Sequence, residues 1–182
     1  MTIKVLEKTE GCMPVMFEQG DWVDLFTAED VTLKEPFAAM LKRKQKNGEE
    51  ERTRVVSFDS TLIPLGICVE VPAGMESYIL PRSSTFKKYG IVQTNSKAII
   101  DFSYNSDEDE WKLPVMATRA VTIPKGTRIA QFRVQLSQKA TVWQKIKWLF
   151  SGPIKIKKVD SLNNPVRGGF GEGTKEADSQ SN

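Results

Sequence analysis

The sequence predicts an all-β protein, and three observations support this fold class. Short runs rich in β-branched and aromatic residues recur along the chain, for example at 67–71 and 77–80. Turns that contain proline or glycine separate such runs, as at 72–75 and 124–126. Residues 128–136 alternate between apolar and polar side chains, which is the period of a half-buried strand. Many short strands separated by turns favour a β-sandwich or a β-barrel.

The other elements are predicted from local composition. We expect an exposed loop or hairpin at 35–54, because 42–54 is almost all charged or polar, although 37–41 could instead begin a helix. Apolar side chains at helical spacing predict a short helix at 141–150, packed on the body of the protein or at a subunit contact. The polar residues after 171 are expected to be mobile. Further strands are expected at 3–6, 31–33, 55–58, 62–66, 98–101, 117–122 and 155–158.

Composition limits both the size of the fold and the classes of function. With 182 residues, 40% of them hydrophobic, the chain fits one domain of ordinary size. The net charge of +3 is small and dispersed, so we expect no nucleic-acid binding. The absence of histidine excludes histidine-based catalysis and histidine metal sites. Cys12 and Cys68 are expected to be reduced thiols in the cytoplasm, and no apolar stretch predicts export or a membrane span.

Residues 81–104 contain, in order, the groups that a nucleotide site needs. The loop at 81–84 (Pro-Arg-Ser-Ser) is positive and hydroxylated, which suits phosphate. Asn95 follows a short predicted strand and offers an amide to a base. An apolar run then ends in Asp101, a carboxylate that can accept a proton from water. With the ring of Tyr104 three residues later as a platform for a sugar, this order predicts a nucleotide pocket with water-activating chemistry.

The same residues resemble the motifs of the trimeric dUTP pyrophosphatases (dUTPases). Pro-Arg-Ser-Ser at 81–84 is similar to the second motif of that family, and 95–104 to the third, whose core is Ile-Asp-x-x-Tyr. Gly-Asp-Trp-Val-Asp-Leu at 20–25 resembles the first motif, Lys-Gly-Thr-Arg-Ile-Ala-Gln at 125–131 the fourth, and Arg-Gly-Gly-Phe-Gly at 167–171 the fifth. Five motifs in the family's order are more specific than any one of them. Their form here is similar to that of the phage and Gram-positive branch.

The resemblance implies roles at the base and the sugar. Asp101 would order the attacking water and touch the deoxyribose 3′-hydroxyl. The ring of Tyr104 would lie under the deoxyribose and leave no room for a 2′-hydroxyl. Asn95 would help to present polar groups to the uracil edge. The main chain of a narrow hairpin would admit uracil but reject thymine and cytosine, and its residues are Ala98, Ile99, Ile100 and Asp101.

A second set of residues is expected to hold the triphosphate. Asp24 would pair with the arginine of the second motif and hold it in place, and Arg128 would brace the site or an interface. This sequence differs from the family at position 84, where it has serine and glycine is common. The residues expected to bind or support the phosphates are Arg82, Ser83, Ser84 and Gln131.

The C-terminal arm is expected to close over the substrate. Arg167 would reach the γ-phosphate, Phe170 would stack on the uracil ring and Thr174 would supply a hydroxyl. This arm differs from the common form, because fewer residues separate the arginine from the phenylalanine and Glu172 begins the segment where Ser-Thr-Gly is usual. If the short arm cannot place Phe170, Trp111 is an alternative base cap, unless it is a core or interface residue.

The resemblance also implies the overall organisation and the reaction. Residues 1–166 would form a jelly-roll-like β-barrel with insertions near 35–54 and 141–158, followed by the arm and tail at 167–182. Three chains would form a homotrimer, in which each site takes the uracil hairpin from one chain, the phosphate residues from a second and the arm from a third. The reaction would convert dUTP to dUMP and pyrophosphate. Mg²⁺ would bind through the phosphates and water.

Two other functions stay open. A dCTP deaminase shares this fold, but its base is typically a glutamate in a strand after the third motif, and Val-Met-Ala-Thr at 115–118 has none. A dUTP-controlled regulatory protein could use the two insertions to hold a protein partner. The acidic run at 107–110 resembles a metal loop, but it lacks the glycine and the alternating ligand spacing of a calcium site.

Overall fold

The computed structural model describes residues 1–18, 20–44 and 50–167. The described residues form fifteen strands and two short helices. The helices are α1 (Thr85–Tyr89) and α2 (Val142–Leu149). The strands are β1 (Thr2–Glu7), β2 (Val15–Met16), β3 (Val23–Phe26), β4 (Val31–Leu33), β5 (Phe37–Lys44), β6 (Glu50–Ser57), β7 (Ser60–Pro64), β8 (Ile67–Glu70), β9 (Met75–Pro81), β10 (Ile91–Gln93), β11 (Ala98–Asp101), β12 (Lys112–Ala117), β13 (Val121–Ile123), β14 (Arg128–Leu136) and β15 (Lys155–Val159).

A five-stranded sheet positions most of the predicted site residues. Its strand order is β11-β9-β14-β3-β2, and all neighbouring pairs are antiparallel. Two three-stranded sheets, β15-β1-β8 and β10-β12-β7, and two strand pairs, β13-β4 and β5-β6, complete the fold. The all-β prediction is therefore confirmed.

The alternation predicted for β14 places its apolar residues in the core. Ala130 and Phe132 are fully buried, whereas Gln131 and Arg133 are partly exposed on the other face. The ring of Phe132 packs edge-on against the ring of Trp111, with 5.1 Å between the ring centroids. The outer face of the sheet is consequently free to carry polar side chains.

Local structure confirms one prediction and differs from the sequence-based expectation at two other places. Residues 37–41 belong to the hairpin expected at 35–54 and not to the alternative helix, because β5 pairs with β6 from Phe37 opposite Ser57 to Lys44 opposite Glu50. The strand predicted at 117–122 is interrupted, since the main-chain N–H and the hydroxyl of Thr118 both donate to the Gly90 carbonyl and end β12. Helix α1 follows the predicted phosphate loop directly and was not predicted.

Helix α2 is present where apolar spacing predicts it, but most of its apolar side chains are largely exposed and none is buried. Its N-terminus is closed by reciprocal hydrogen bonds between Thr141 and Gln144. Trp143 is 79% exposed and Phe150 is 83% exposed. Gln144 is the helix residue that lies against Gly74. Neither helix of the described residues is long and apolar enough to cross a membrane.

The two thiols are expected to be unreactive in the folded protein. Cys12 and Cys68 are buried and free, and burial raises the pKa of Cys12 and raises that of Cys68 to about 12. At pH 8 the pKa of Cys68 lies far above the pH, so only roughly one molecule in 10⁴ carries the reactive thiolate. We expect no reaction of native protein with Ellman's reagent, and two thiols per chain after unfolding in guanidinium chloride. A rapid stoichiometric reaction of the native protein would contradict this burial.

Candidate active site

A pocket lined in part by two arginines lies where β3, β9 and β14 meet. Strand pairing places Gln131 of β14 opposite Asp24 of β3 and opposite Leu80 of β9. The first, second and fourth motifs therefore converge although they are far apart in sequence. The pocket has a volume of about 640 Å³. Its lining residues are Phe17, Glu18, Gly20, Asp21, Trp22, Asp24, Arg82, Arg128 and Gln131.

Asp24 holds two arginines at the wall of this pocket. The side chain is buried, and its Oδ1 lies 3.1 Å from Arg82 Nε. Its Oδ2 accepts a hydrogen bond from Arg128 Nη1 at 3.4 Å. Each guanidinium thus uses part of its donor set on Asp24 and keeps other N–H groups for a ligand. The pocket is suited to an anion such as phosphate.

The loop between β9 and α1 is tied to β14 through Thr85. This residue is buried, and its hydroxyl donates to the Ile129 carbonyl at 2.8 Å. The main-chain N–H of Arg82 donates to the same carbonyl at 3.4 Å. Ser83 is exposed and Ser84 is the partly exposed residue that precedes α1. Both predicted phosphate-loop hydroxyls therefore lie beside the arginine that Asp24 holds.

The third motif lies at the edge of the five-stranded sheet. Ala98 and Ile100 of β11 are buried, whereas Ile99 and Asp101 are exposed on the other face. Among the described residues, β11 pairs on one side only, with β9. The other edge of the strand keeps main-chain donors and acceptors that could pair with a base.

Asn95 is oriented by a glutamine that sequence reasoning missed. Gln93 is buried, and its Nε2 donates to Asn95 Oδ1 at 2.8 Å and to the Ile79 carbonyl at 3.2 Å. Ser96 follows with a φ of 57°, so the chain turns sharply before β11. Since its oxygen is engaged by Gln93, Asn95 has its amide nitrogen left as a donor.

Tyr104 lies deeper than a simple surface platform. The residue is 8% exposed, and its hydroxyl donates to the Glu110 carbonyl at 3.1 Å. Burial raises the pKa of Tyr104, so the phenol is neutral at physiological pH. The side chain is consequently fixed in position close to Asp101, and its predicted contact with a sugar stays a prediction.

Asp101 is exposed and far from the pocket that Arg82 and Gln131 line in its own chain. It pairs in register with Glu76, near the start of β9, whereas Arg82 follows the end of that strand. Six residues of extended chain between Glu76 and Arg82 span roughly 20 Å. Asp101 Oδ2 lies 2.9 Å from Arg167 Nη1, so the start of the predicted arm is beside its own chain's carboxylate. The predicted residues therefore form two groups, one at each end of β9.

Comparisons with known proteins identify the family. The family model for dUTPase matches residues 50–147. The chain is 38% identical over 174 residues to the SPbeta prophage-derived deoxyuridine 5′-triphosphate nucleotidohydrolase YosS of Bacillus subtilis, an alignment that covers 95% of this chain and 97% of that protein. The chain belongs to the dUTPase family. The resemblance to that family is thereby confirmed.

Solved dUTPase structures share the fold of this family member. The dUTPase from Streptococcus mutans aligns with a TM-score of 0.58 at 19% identity, over 78% of this chain and 99% of that one. A mutant dUTPase from phage phi11 of S. aureus, whose structure describes the coordination of a structural Mg(II) ion, aligns with a TM-score of 0.57 at 15% identity, over 78% of this chain and 95% of that one. The predicted jelly-roll-like β-barrel is confirmed.

Some predicted residues of this dUTPase family member cannot be placed. Phe170 and Thr174 lie outside the described residues, as does the tail that was expected to be mobile. The alternative base cap is wrong, because Trp111 is fully buried in the core against Phe132. A large aromatic residue of the core cannot stack on a base without unpacking the barrel.

The described part of this dUTPase family member offers neither a protein cage for a metal nor a deaminase base on β12. No group of three or more His, Cys, Asp or Glu side chains that could hold a metal ion occurs there. Val115 and Ala117 of β12 are buried in the core, where a deaminase would need a carboxylate.

Replacing Asp24 is expected to weaken both the fold and the phosphate pocket of this dUTPase family member. Asp24→Asn should lower the free energy of unfolding by about 2 kcal/mol, less than for a fully buried pair, because both guanidinium groups are partly exposed. It should also raise KM for dUTP about tenfold, since Arg82 loses the partner that orients it. Urea unfolding and steady-state kinetics measure the two effects.

A matched control lies three residues earlier. Asp21 is mostly exposed and 3.9 Å from Arg133, so Asp21→Asn should change the free energy of unfolding by less than about 0.5 kcal/mol. If Asp24→Asn and Asp21→Asn lowered the free energy of unfolding equally, the pairing of Asp24 with two arginines would not stabilise the fold.

Proposed function

We propose that this protein hydrolyses dUTP to dUMP and pyrophosphate in the cytoplasm. The observation that carries the proposal is that the chain has both a pocket lined by Arg82, Arg128 and Gln131 and an exposed carboxylate, Asp101, at the end of an edge strand. A relative that is similar over nearly its whole length is named a deoxyuridine 5′-triphosphate nucleotidohydrolase. Together they support a hydrolase acting on that nucleotide.

Each group has a defined task in this reaction. Asp101 accepts a hydrogen bond from water, aligns it with the α-phosphorus and takes its proton. Arg82, Ser83 and Gln131 donate hydrogen bonds to phosphate oxygens and stabilise the charge that moves to the leaving pyrophosphate. The free edge of β11 pairs with uracil, and Asn95 supplies one amide donor. A covalent intermediate is not required, which agrees with the burial of both thiols.

Mg²⁺ fits this site through the substrate and not through a protein cage. Asp24, which lines the pocket and is buried, is already paired with two arginines. A related phage dUTPase coordinates a structural Mg(II) ion. When bound to the triphosphate, the ion would neutralise charge on the phosphate oxygens. The chain's own part is to hold the phosphates in one conformation with Arg82 and Gln131.

We propose that a complete site needs more than one chain. Asp101 and the phosphate pocket of one chain lie roughly 20 Å apart along β9, which is too far for one α-phosphate to meet both. A cyclic homotrimer would bring the Asp101 end of one chain to the pocket of the next. Residues 1–166 would form the barrel of each subunit and 167–182 its arm.

The first experiment measures which nucleotide is consumed. The protein is incubated with Mg²⁺ and dUTP, dCTP, dTTP or UTP, and pyrophosphate and nucleotide products are followed. The proposal expects pyrophosphate and dUMP from dUTP alone. Formation of dUTP or dUMP from dCTP would revive the deaminase, and tight binding of dUTP without turnover would indicate a regulatory protein.

A second candidate function, partner binding, is favoured by the surface of α2. At about 100° per residue, five of the six exposed apolar residues at 142–150 lie within an arc of about 120°, and they are Val142, Trp143, Ile146, Leu149 and Phe150. The sixth, Trp148, lies on the opposite face. Lys145 and Lys147 flank this arc. The segment 138–158 contains six lysines and no acidic residue. We propose that a protein with an apolar groove and an acidic rim binds here.

This surface can be tested without the partner. The double variant Trp143→Ser with Phe150→Ser should keep the kcat of dUTP hydrolysis within about twofold and bind roughly half as much of the dye ANS, because it removes exposed apolar area. Light scattering should give the same oligomer mass as the parent protein. A smaller mass would make the arc a subunit contact instead of a partner site.

A further inference from the structure

The segment that precedes Arg167 is fastened to the loop after Tyr104 by side-chain hydrogen bonds. Asp107 Oδ2 accepts from the Ser161 hydroxyl, and its Oδ1 accepts from the Leu162 main-chain N–H, both at 2.6 Å. Asn164 Nδ2 donates to the Asn105 carbonyl at 3.1 Å and to Glu70 Oε2 at 2.9 Å. The acidic run at 107–110, which resembles a metal loop, thus binds another segment of the same chain through Asp107.

The loop that carries Asp107 is braced from beneath and can serve as a fixed anchor. The buried Asp109 accepts from the main-chain N–H of Ser106 at 3.0 Å. The Cys68 thiol donates to the Asp107 carbonyl at 3.3 Å. Hydrogen bonds from Ser161 and Leu162 hold the pKa of Asp107 below its ordinary value. At neutral pH this carboxylate is therefore ionised and accepts both bonds.

We propose that Asp107 and Asn164 are positioning residues, which fix the start of the C-terminal arm so that Arg167 lies against Asp101. Arg167 follows Asn164 by three residues and lies 2.9 Å from Asp101. The catalytic consequence rests on the proposed hydrolysis of dUTP. The placement of Arg167 does not depend on it.

The size of the effect follows from the length of the tether. With both anchors in place, Arg167 is three residues from a fixed point. Without them the nearest fixed point is the end of β15 at Val159, eight residues away. The effective concentration of a tethered group falls as about the −3/2 power of tether length, which gives a roughly fourfold loss of the Arg167–Asp101 contact.

Trypsin provides a readout that needs no activity, because it cleaves after Arg167. We expect the double variant Asp107→Ala with Asn164→Ala to increase the rate of cleavage after Arg167 in the full-length protein about fourfold, as followed by mass spectrometry. Glu108→Gln is the matched control, since it removes a charge from an exposed position in the same run and should leave the rate unchanged. Unchanged cleavage in the double variant would overturn the proposal.

Kinetics separate positioning from general support of the fold. The same two substitutions should lower kcat/KM for dUTP about fourfold in the parent protein and have no further effect in an Arg167→Ala background. Equal losses in both backgrounds would overturn the positioning role. A parent protein that does not turn over dUTP would refute the proposed function, and the cleavage experiment would still decide the placement of Arg167.

Discussion

Asp101→Asn should lower kcat for dUTP by about 10³-fold, because the amide cannot take the proton of the attacking water. The side chain is exposed at the end of β11, so the substitution should change the free energy of unfolding by less than about 0.5 kcal/mol. Pyrophosphate release at saturating dUTP and Mg²⁺ measures kcat, and urea unfolding measures stability.

Binding separates loss of chemistry from loss of the site. The α,β-imido analogue of dUTP, which cannot be hydrolysed, should bind to Asp101→Asn within about threefold of its affinity for the parent protein. A kcat within tenfold of the parent value would remove Asp101 from its role as general base. Loss of analogue binding together with kcat would assign it to substrate binding.

Mixing two inactive variants should restore activity, and this is the second large effect that we expect. Chains with Asp101→Asn keep an unaltered Arg82 and the pocket that it lines, and chains with Arg82→Ala keep an unaltered Asp101 carboxylate. If each site combines Asp101 of one chain with Arg82 of its neighbour, random mixing makes about a quarter of the sites intact. The mixture should therefore recover about a quarter of the parent activity, measured after the two variants are unfolded and refolded together.

The control is each variant refolded alone, which should stay inactive. A mixture that is no more active than its two components would show that Asp101 and Arg82 of one chain serve the same site. The register of β11 on β9 opposes that outcome, since it places Asp101 and Arg82 at opposite ends of β9.

The convergence of the residues proposed to bind phosphate was predictable because they belong to contiguous motifs. Asp24, Arg82 and Gln131 each lie in a short pattern, and antiparallel pairing of three strands brings these patterns together. The ion pair expected between Asp24 and Arg82 is present. The alternation of 128–136 predicted a half-buried strand, and Gln131 is partly exposed there between the buried Ala130 and Phe132.

Supporting residues were not predictable in the same way. From sequence alone Gln93 is an ordinary strand residue, because its hydrogen bond to the Ile79 carbonyl depends on the position of β9. The hydrogen bond of Thr85 depends in the same way on the position of Ile129. Trp111 carries no local signal that separates a core ring from a base cap. The separation of Asp101 from the pocket depends on strand register, which no single segment encodes.

Strand β1 pairs with β8 on one side and, in parallel, with β15 on the other. During translation β1 therefore lacks one neighbour until β15 has been made. At synthesis rates of about 5–20 residues per second, the roughly 150 intervening residues take about eight to thirty seconds to make. One edge of β1 stays unpaired for that time, so this sheet can close only after residue 159 has been made.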